Sequence, residues 1–373
     1  MNVADVKDQL LAKRKQLVVS RKSALSTGST LLNLACTDLP DLGFVRGCYY
    51  YLVGDSTSGK TWLSLTCFAE ACLSSHFKDY RLIFDDVEGG ALMNIEHYFG
   101  KEVARRMEPP ARKKGEPVYS DTVESFYYNI SDVIKAGKPF IYVLDSQDAL
   151  TSSFAEKKFA ARKTASETGE EAAGSYGDGK AKFHSENIRW VVSALRKMGS
   201  ILIIIGQTRD NMGMGFDPKT RSGGKALRFY ATTEIWTSVA GKIKKTVREK
   251  ERTVGVYCQA EVKKNRVSGK VGKDRSVQIP IYYGLGIDDV GSCVDFLIAE
   301  KHWPVIKVEA EEGQKKDRKK AFNAHDILFK GSREKLIRYI EEEDLEAKVK
   351  EITSQVWREI EDACEPSRKR RYV

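Results

Sequence analysis

Tyr49-Tyr50-Tyr51-Leu52-Val53-Gly54-Asp55-Ser56-Thr57-Ser58-Gly59-Lys60-Thr61-Trp62-Leu63-Ser64-Leu65 decides how the rest of the chain is read. An apolar run ends at Val53, and Gly54–Thr61 then fits G-x-x-x-x-G-K-[ST] at every fixed position, in a strand–loop–helix context. Gly54 and Gly59 let the backbone turn so that successive N–H groups, carried through Asp55, Ser56, Thr57 and Ser58, point at one anion. A helix opening at Lys60 adds the positive end of its dipole. In such a loop the Lys60 ammonium reaches the outer phosphates and the Thr61 hydroxyl ligates Mg²⁺. An ordinary Gly-rich turn needs none of the four fixed positions. The stretch reads as a nucleotide-binding loop.

Composition sets the frame around it. A chain of 373 residues can bury a full core, and its length suggests about two domains. With 41% apolar and 31% charged residues it has the make-up of a globular protein. It contains no apolar run of membrane-spanning length, and its first residues lack the apolar centre of a signal peptide. Seven cysteines form no C-x-x-C pair, which predicts reduced thiols in a cytoplasm-like compartment and no zinc site built on cysteine. A formal charge of +10 points to a polyanionic partner.

Outward from the loop, apolar runs alternate with amphipathic helices. Residues 3–17 carry one apolar stripe, predicting a helix that must pack on the main body or on a neighbouring subunit. Arg81–Asp85, Phe140–Asp145 and Ile201–Ile205 read as buried strands, and Ser120-Asp121-Thr122 opens a helix. This order predicts a mostly parallel sheet covered on both faces. Residues 152–184 lack an apolar period and are expected to form a long mobile loop, and Gly-rich residues 210–226 a second. Thr253–Val262 and Ser276–Tyr282 alternate as antiparallel strands do, and a smaller α+β region follows from about residue 290. The tail through Arg368-Lys369-Arg370-Arg371 is basic.

Three positions at strand ends carry candidate chemistry. Asp145 ends an apolar strand downstream of the loop, where an acid can hold Mg²⁺ or its water, though a strand-ending Asp also serves as a helix cap. Glu88 follows the Arg81–Asp85 strand and could activate a water, with Asp85 and Asp86 as competitors. Gln207 follows the Ile201–Ile205 strand and could sense the γ-phosphate for the loop after it.

Together these pieces resemble the RecA family of recombination ATPases, from about Leu25 to about Leu297. The most specific likeness is Ile204-Ile205-Gly206-Gln207-Thr208-Arg209, then Met212-Gly213-Met214-Gly215, then Ser222-Gly223-Gly224-Lys225 through Ala231, an order similar to the family's second DNA-binding loop and interface helix. Val143-Leu144-Asp145-Ser146 and Val262-Lys263-Lys264-Asn265-Arg266 also resemble family segments. The resemblance implies ATP and Mg²⁺ as cofactors, Glu88 as the water-activating carboxylate and Gln207 as the phosphate sensor. It implies that Lys264 and Arg266 enter the neighbouring subunit's ATP site, and that Ser185, Arg189, Arg209, Met212, Gly223, Gly224 and Lys225 touch DNA. The adenine-stacking position is not cleanly matched, with Tyr98 or His97 able to serve.

The fold it implies is a RecA-like core at residues 29–288, between an N-terminal helix and oligomerisation segment at 1–28 and a small α+β domain with a basic tail at 289–373. The function it implies is a DNA-dependent ATPase forming filaments on single-stranded DNA and pairing them with homologous duplex, in the cytoplasm of a bacterial or phage-infected cell. A ring-forming DNA motor and an ATP-switched DNA-coating protein remain as alternatives. Residues 152–184 are longer and more basic than the family's usual segment, and the tail is basic where bacterial members usually end acidic, as expected of a divergent branch such as a viral one.

Overall fold

The computed structural model describes residues 22–168, 179–210, 219–221, 224–306 and 320–368. Its centre is a ten-stranded sheet. In chain order the strands are β1 (Cys48–Gly54), β2 (Arg81–Asp86), β3 (Met107–Glu108), β4 (Phe140–Asp145) and β5 (Ile201–Asp210). They continue as β6 (Lys219–Arg221), β7 (Thr233–Val247), β8 (Lys250–Asn265), β9 (Ser276–Tyr282) and β10 (Gly286–Ile287). Across the sheet the order is β10-β9-β8-β7-β1-β5-β4-β2-β3, with β6 paired to β5. From β7 to β3 every neighbour is parallel, whereas β7 to β10 form an antiparallel flank.

The parallel strands read as continuous apolar runs because both of their faces are buried. Successive residues of β1 alternate between two cores. Tyr50 and Leu52 pack in the cluster that holds α1 (Thr30–Thr37) and α2 (Lys60–Leu73). Tyr49, Tyr51 and Val53 pack in the cluster that holds α4 (Val123–Lys135) and α6 (Lys180–Met198). Between these helices lie α3 (Ile95–Phe99) and α5 (Ser153–Thr168), and α7 (Gly224–Tyr230) follows β6. The Thr122 side chain accepts from the Ser125 amide at the start of α4, so the cap expected at Ser120–Thr122 is formed.

A third core is built by α8 (Asp289–Ala299), α9 (Arg333–Glu342), α10 (Glu346–Cys364) and the small antiparallel sheet β11 (Val305–Ile306), β12 (Ala321–Ala324) and β13 (Phe329–Ser332). Its centre is the fully buried Trp303 with Leu297, Leu336 and Ile340.

Several expectations are corrected. Residues 152–184 do not form one loop: Ser153–Thr168 is the helix α5, rich in Ala, Lys and Glu, whose intrinsic preference makes a helix without an apolar period. The strand expected to stop at Ile205 runs on to Asp210, so Gln207 lies within it, and Lys219–Arg221 folds back on Thr208–Asp210. The 15-residue β7 was not anticipated, because its second half is charged on both sides. The N-terminal helix expected at 3–17, Met212, Gly223 and the tail beyond Arg368 lie outside the described residues.

The end of α10 is fastened to the main sheet by one buried cation. Arg275 pairs with Asp38 at 2.6 Å and with Glu361 at 2.6 Å, donates to the Leu34 carbonyl at 3.1 Å, and stacks over Trp357 at 5.2 Å. Removing it leaves two partly exposed acids with only the more exposed Lys270, which lies 3.3 Å from Asp38 and 2.5 Å from Glu361, as their cation. Arg275→Ala is expected to cost about 2–3 kcal/mol, discounted because both acids can rehydrate. The measurement is the urea midpoint of the full chain, and an unchanged midpoint would mean that the apolar face of α10 and the Lys270 pair hold it without Arg275.

Candidate nucleotide site

The strand ends meet in register. Gly54 of β1 stands opposite Gln207 of β5 on one side and Thr237 of β7 on the other, and Asp86 of β2 stands opposite Asp145 of β4. The loop Asp55–Gly59 leaves that edge and enters α2 at Lys60. Gly54 is required by close approach: a Cβ there would lie 2.1 Å from Thr237 Oγ1 and 2.3 Å from its carbonyl oxygen. Gly59 has φ of 93°, the left-handed region that glycine adopts freely. Ser58 is buried, sharing a hydrogen bond of 2.7 Å with Thr237 Oγ1 and donating to the Asp55 carbonyl, whereas Ser56 and Thr57 face solvent.

Lys60 lies back along the loop, donating to the carbonyls of Gly54 at 2.9 Å and Asp55 at 2.6 Å. Burial pulls its pKa down, while Asp145, Glu88 and Asp55 act the other way. The Thr61 hydroxyl donates to Asp145 Oδ2 at 2.6 Å. Desolvation pushes the Asp145 carboxyl up to about 6, with the charge of Glu88 adding to the rise and the Thr61 bond opposing it. The peptide bond from Asp145 to Ser146 is cis.

The three acids after β2 separate cleanly. Asp85 is fully buried and accepts from the Ser120 amide at 2.9 Å, the Ser120 hydroxyl at 2.6 Å and the Tyr142 hydroxyl at 2.6 Å. Asp86 accepts from the amides of Gly90 at 3.0 Å and Ala91 at 3.2 Å, holding the turn. Glu88 is exposed at the sheet edge, where its Oε1 accepts from Ser146 Oγ and, at 3.1 Å, from Gln207 Nε2. That last contact joins the end of β2 to β5.

Several partners could not be named from the sequence. Asp148 Oδ2 accepts from the Gln207 amide at 2.6 Å and from Gln147 Nε2 at 2.7 Å, and its Oδ1 lies 3.7 Å from Arg209. Asp55 accepts from Thr208 and pairs with Lys219, whose hydrogen bond, with that of Thr208, holds its carboxyl below the ordinary range. The only signal was position, Asp148 three residues after Asp145 and Thr208 one after Gln207. Tyr98 of α3 sets its ring edge-on to Trp62, centroids 5.0 Å apart, and its hydroxyl donates to the Tyr283 carbonyl at 3.0 Å. His97 packs against Tyr98 on the same helix.

Lys264 and Arg266 lie elsewhere. Lys264 pairs in register with Glu234, itself opposite Tyr51, and the Arg266 amide donates to Thr232 beside Tyr49. Tyr51 and Tyr49 precede Gly54 by three and five residues, about 10–17 Å at ~3.3 Å per residue. Both cations turn to the end of α7: Lys264 donates to the carbonyls of Arg228 at 2.5 Å and Phe229 at 2.8 Å, and Arg266 to Phe229 at 2.9 Å. With Lys225, Arg228, Phe229 and Lys263 they line an open basic cavity of about 500 Å³.

Ser185 and Arg189 lie on α6, and Arg189 is exposed with its guanidinium 6.0 Å from the Tyr230 ring. Gly224 (φ 76°) opens α7 so close to α6 that a Cβ would come within 3.0 Å of Ala181 Cβ. Lys225 and Arg209 are exposed.

Fold and site together define a RecA-like α/β protein with a phosphate-loop motif at the edge of a central sheet. A family model described as the RecA N-terminal domain matches residues 119–288. Protein RecA of Chlorobaculum parvum is 30% identical over 285 residues, covering 75% of this chain and 71% of that protein. Protein RecA of Chlorobium limicola is 29% identical, covering 75% and 70%, and that of Cytophaga hutchinsonii 28%, covering 74% and 69%. The chain belongs to the RecA family. No helix among the described residues is long and apolar enough to cross a membrane.

The carboxyl of Asp145 yields a test of the site's electrostatics. Its rise from an ordinary 3.8 to about 6 makes ionisation costly in the fold. The penalty is absent below about pH 3, where folded and unfolded chains are both protonated, and reaches about 2–3 kcal/mol above pH 6. Without nucleotide, Asp145→Asn is therefore expected to be more stable than wild type at pH 7.5 and to lose that advantage by about pH 3. Denaturant midpoints of both proteins across this range check the sign, and a variant less stable at pH 7.5 would show that the charge is not penalised.

Proposed function

We propose that this chain is a DNA-dependent ATPase that assembles as a filament on single-stranded DNA and pairs it with homologous duplex in recombination and repair. Membership of the family supports the class, and the Glu88–Gln207 contact carries the mechanism. It joins the carboxylate best placed to take a proton from water to the strand that leads into the DNA-facing loop.

The residues fit ATP and Mg²⁺. Asp55, Ser56, Thr57 and Ser58 between Gly54 and Gly59 form a loop held tight against Thr237, Lys60 supplies a cation, and Thr61 with Asp145 supplies the hard oxygen donors that Mg²⁺ takes. When bound, Mg²⁺ offsets the charge of the phosphates. Glu88 orients and deprotonates the attacking water, Gln207 reports the γ-phosphate to β5, and Tyr98 borders the adenine. Ser185, Arg189, Arg209, Gly224 and Lys225, with Met212 and Gly223 outside the described residues, contact the DNA backbone and bases.

Lys264 and Arg266 complete the site of a neighbouring subunit, because their own phosphate loop lies several residues away at the other end of β1. Cations supplied in trans make turnover depend on assembly. In this reading residues 1–28 serve assembly, 29–288 form the ATPase core and 289–373 an accessory domain, working in the cytoplasm.

Electron microscopy with single-stranded DNA and a slowly hydrolysed ATP analogue is expected to show helical filaments; closed rings would overturn the recombinase reading. Glu88→Gln is expected to retain ATP binding and slow turnover about 10²–10⁴-fold, and unchanged turnover would remove it from the chemistry. Lys264→Ala with Arg266→Ala should bind nucleotide but hydrolyse it poorly. Adding excess Lys60→Ala subunits should restore part of that activity at mixed interfaces. No rescue in confirmed mixed assemblies would mean that each site is complete within one chain.

A further inference from the structure

The third core carries a side-chain cluster that the nucleotide chemistry does not use. His302 lies in the turn after α8, and His325 and Asp326 open the short 3₁₀ turn after β12, 23 residues further on. Folding brings one donor atom of each to within 4.8 Å of the others. His302 Nε2 is 2.9 Å from Asp326 Oδ2, and His325 Nε2 is 3.6 Å from Asp326 Oδ1. The two imidazole rings are 5.0 Å apart, centre to centre.

We propose that His302, His325 and Asp326 bind a Zn²⁺-class divalent cation, which staples the turn after α8 to the small sheet. At ~2.0–2.1 Å per bond, tetrahedral ligands lie about 3.3 Å apart. The two rings approach different oxygens of Asp326 at 2.9 and 3.6 Å, and one donor from each residue already lies within 4.8 Å of the others, so small side-chain shifts close the set. Two imidazoles and one carboxylate form a ligand set that zinc takes with water in the fourth position. A hydrogen bond between His302 and Asp326 would need only one ring; the second ring faces the other carboxylate oxygen. The carboxylate is also oriented by the core, through the oxygen that His302 faces. Trp303, fully buried, donates its Nε1–H to Asp326 Oδ2 at 2.8 Å, the kind of outer contact that fixes a ligating carboxylate. His302 and Asp326 are half-buried and His325 exposed, so an ion can enter without unfolding the module.

The test uses the full chain, freed of metal with a chelator and titrated with Co²⁺ in place of Zn²⁺. One equivalent is expected to produce the intense visible absorption of a four-coordinate site, and Zn²⁺ to abolish it by displacement. His325→Ala and His302→Ala, each confirmed as folded by circular dichroism, are expected to weaken binding at least about tenfold, since even outer contacts to ligands are worth that much. Zn²⁺ should raise the melting temperature of the wild type and not of His325→Ala. His76→Ala and Cys364→Ser should bind as wild type does. Absorption that never develops, that survives both histidine variants, or that disappears in Cys364→Ser would overturn the assignment. Asp326→Asn adds a third reading, but its contact with Trp303 makes the exposed His325 the cleaner probe.

Discussion

Two-sided burial of β1 is the constraint from which the site follows. Tyr49, Tyr50, Tyr51, Leu52 and Val53 are each at most 1% exposed, and alternate residues feed different cores. A slip of one residue would move every side chain to the opposite face. The register is therefore fixed by bulk, and the strand's C-terminal end is fixed with it. Gly54 can stand nowhere but between Gln207 and Thr237, and the loop leaves the sheet beside the acids that close β2 and β4.

That dependence explains what could be read in the chain. The loop motif, the buried runs and the Thr122 cap are local patterns, and each matches a formed element. The α5 helix was missed because intrinsic propensity acted without an apolar period, and the length of β7 because a two-stranded ribbon needs no buried face along its full course. The sorting of Asp85, Asp86 and Glu88 was beyond reach for another reason. Three acids within four positions look alike until Ser120 and Tyr142, brought from α4's approach and β4, surround one of them.

The two groups of cations on this chain are likewise separated by topology. Lys60 lies where parallel strands end, and Lys264 and Arg266 lie where the same strands begin. Sequence order gives no hint of this, because β8 runs antiparallel to its neighbour and carries its last residues back to the far edge. The two groups of cations therefore belong to different regions of the surface, set apart by the length of β1.

The outer half of the β7–β8 ribbon has a different consequence, one for solubility. Among the described residues β7 pairs with β1 only through Thr237, and β8 with β9 only from Gly255, so beyond these points the two strands bond to each other and present two edges that no other described strand covers. Such edges invite pairing with any extended chain. Lys242, Lys244, Lys245, Lys250 and Arg252 crowd this segment, and a like-charged ribbon from another molecule would have to approach them at close range. A long antiparallel arm can thus project from the body without acting as a seed for aggregation.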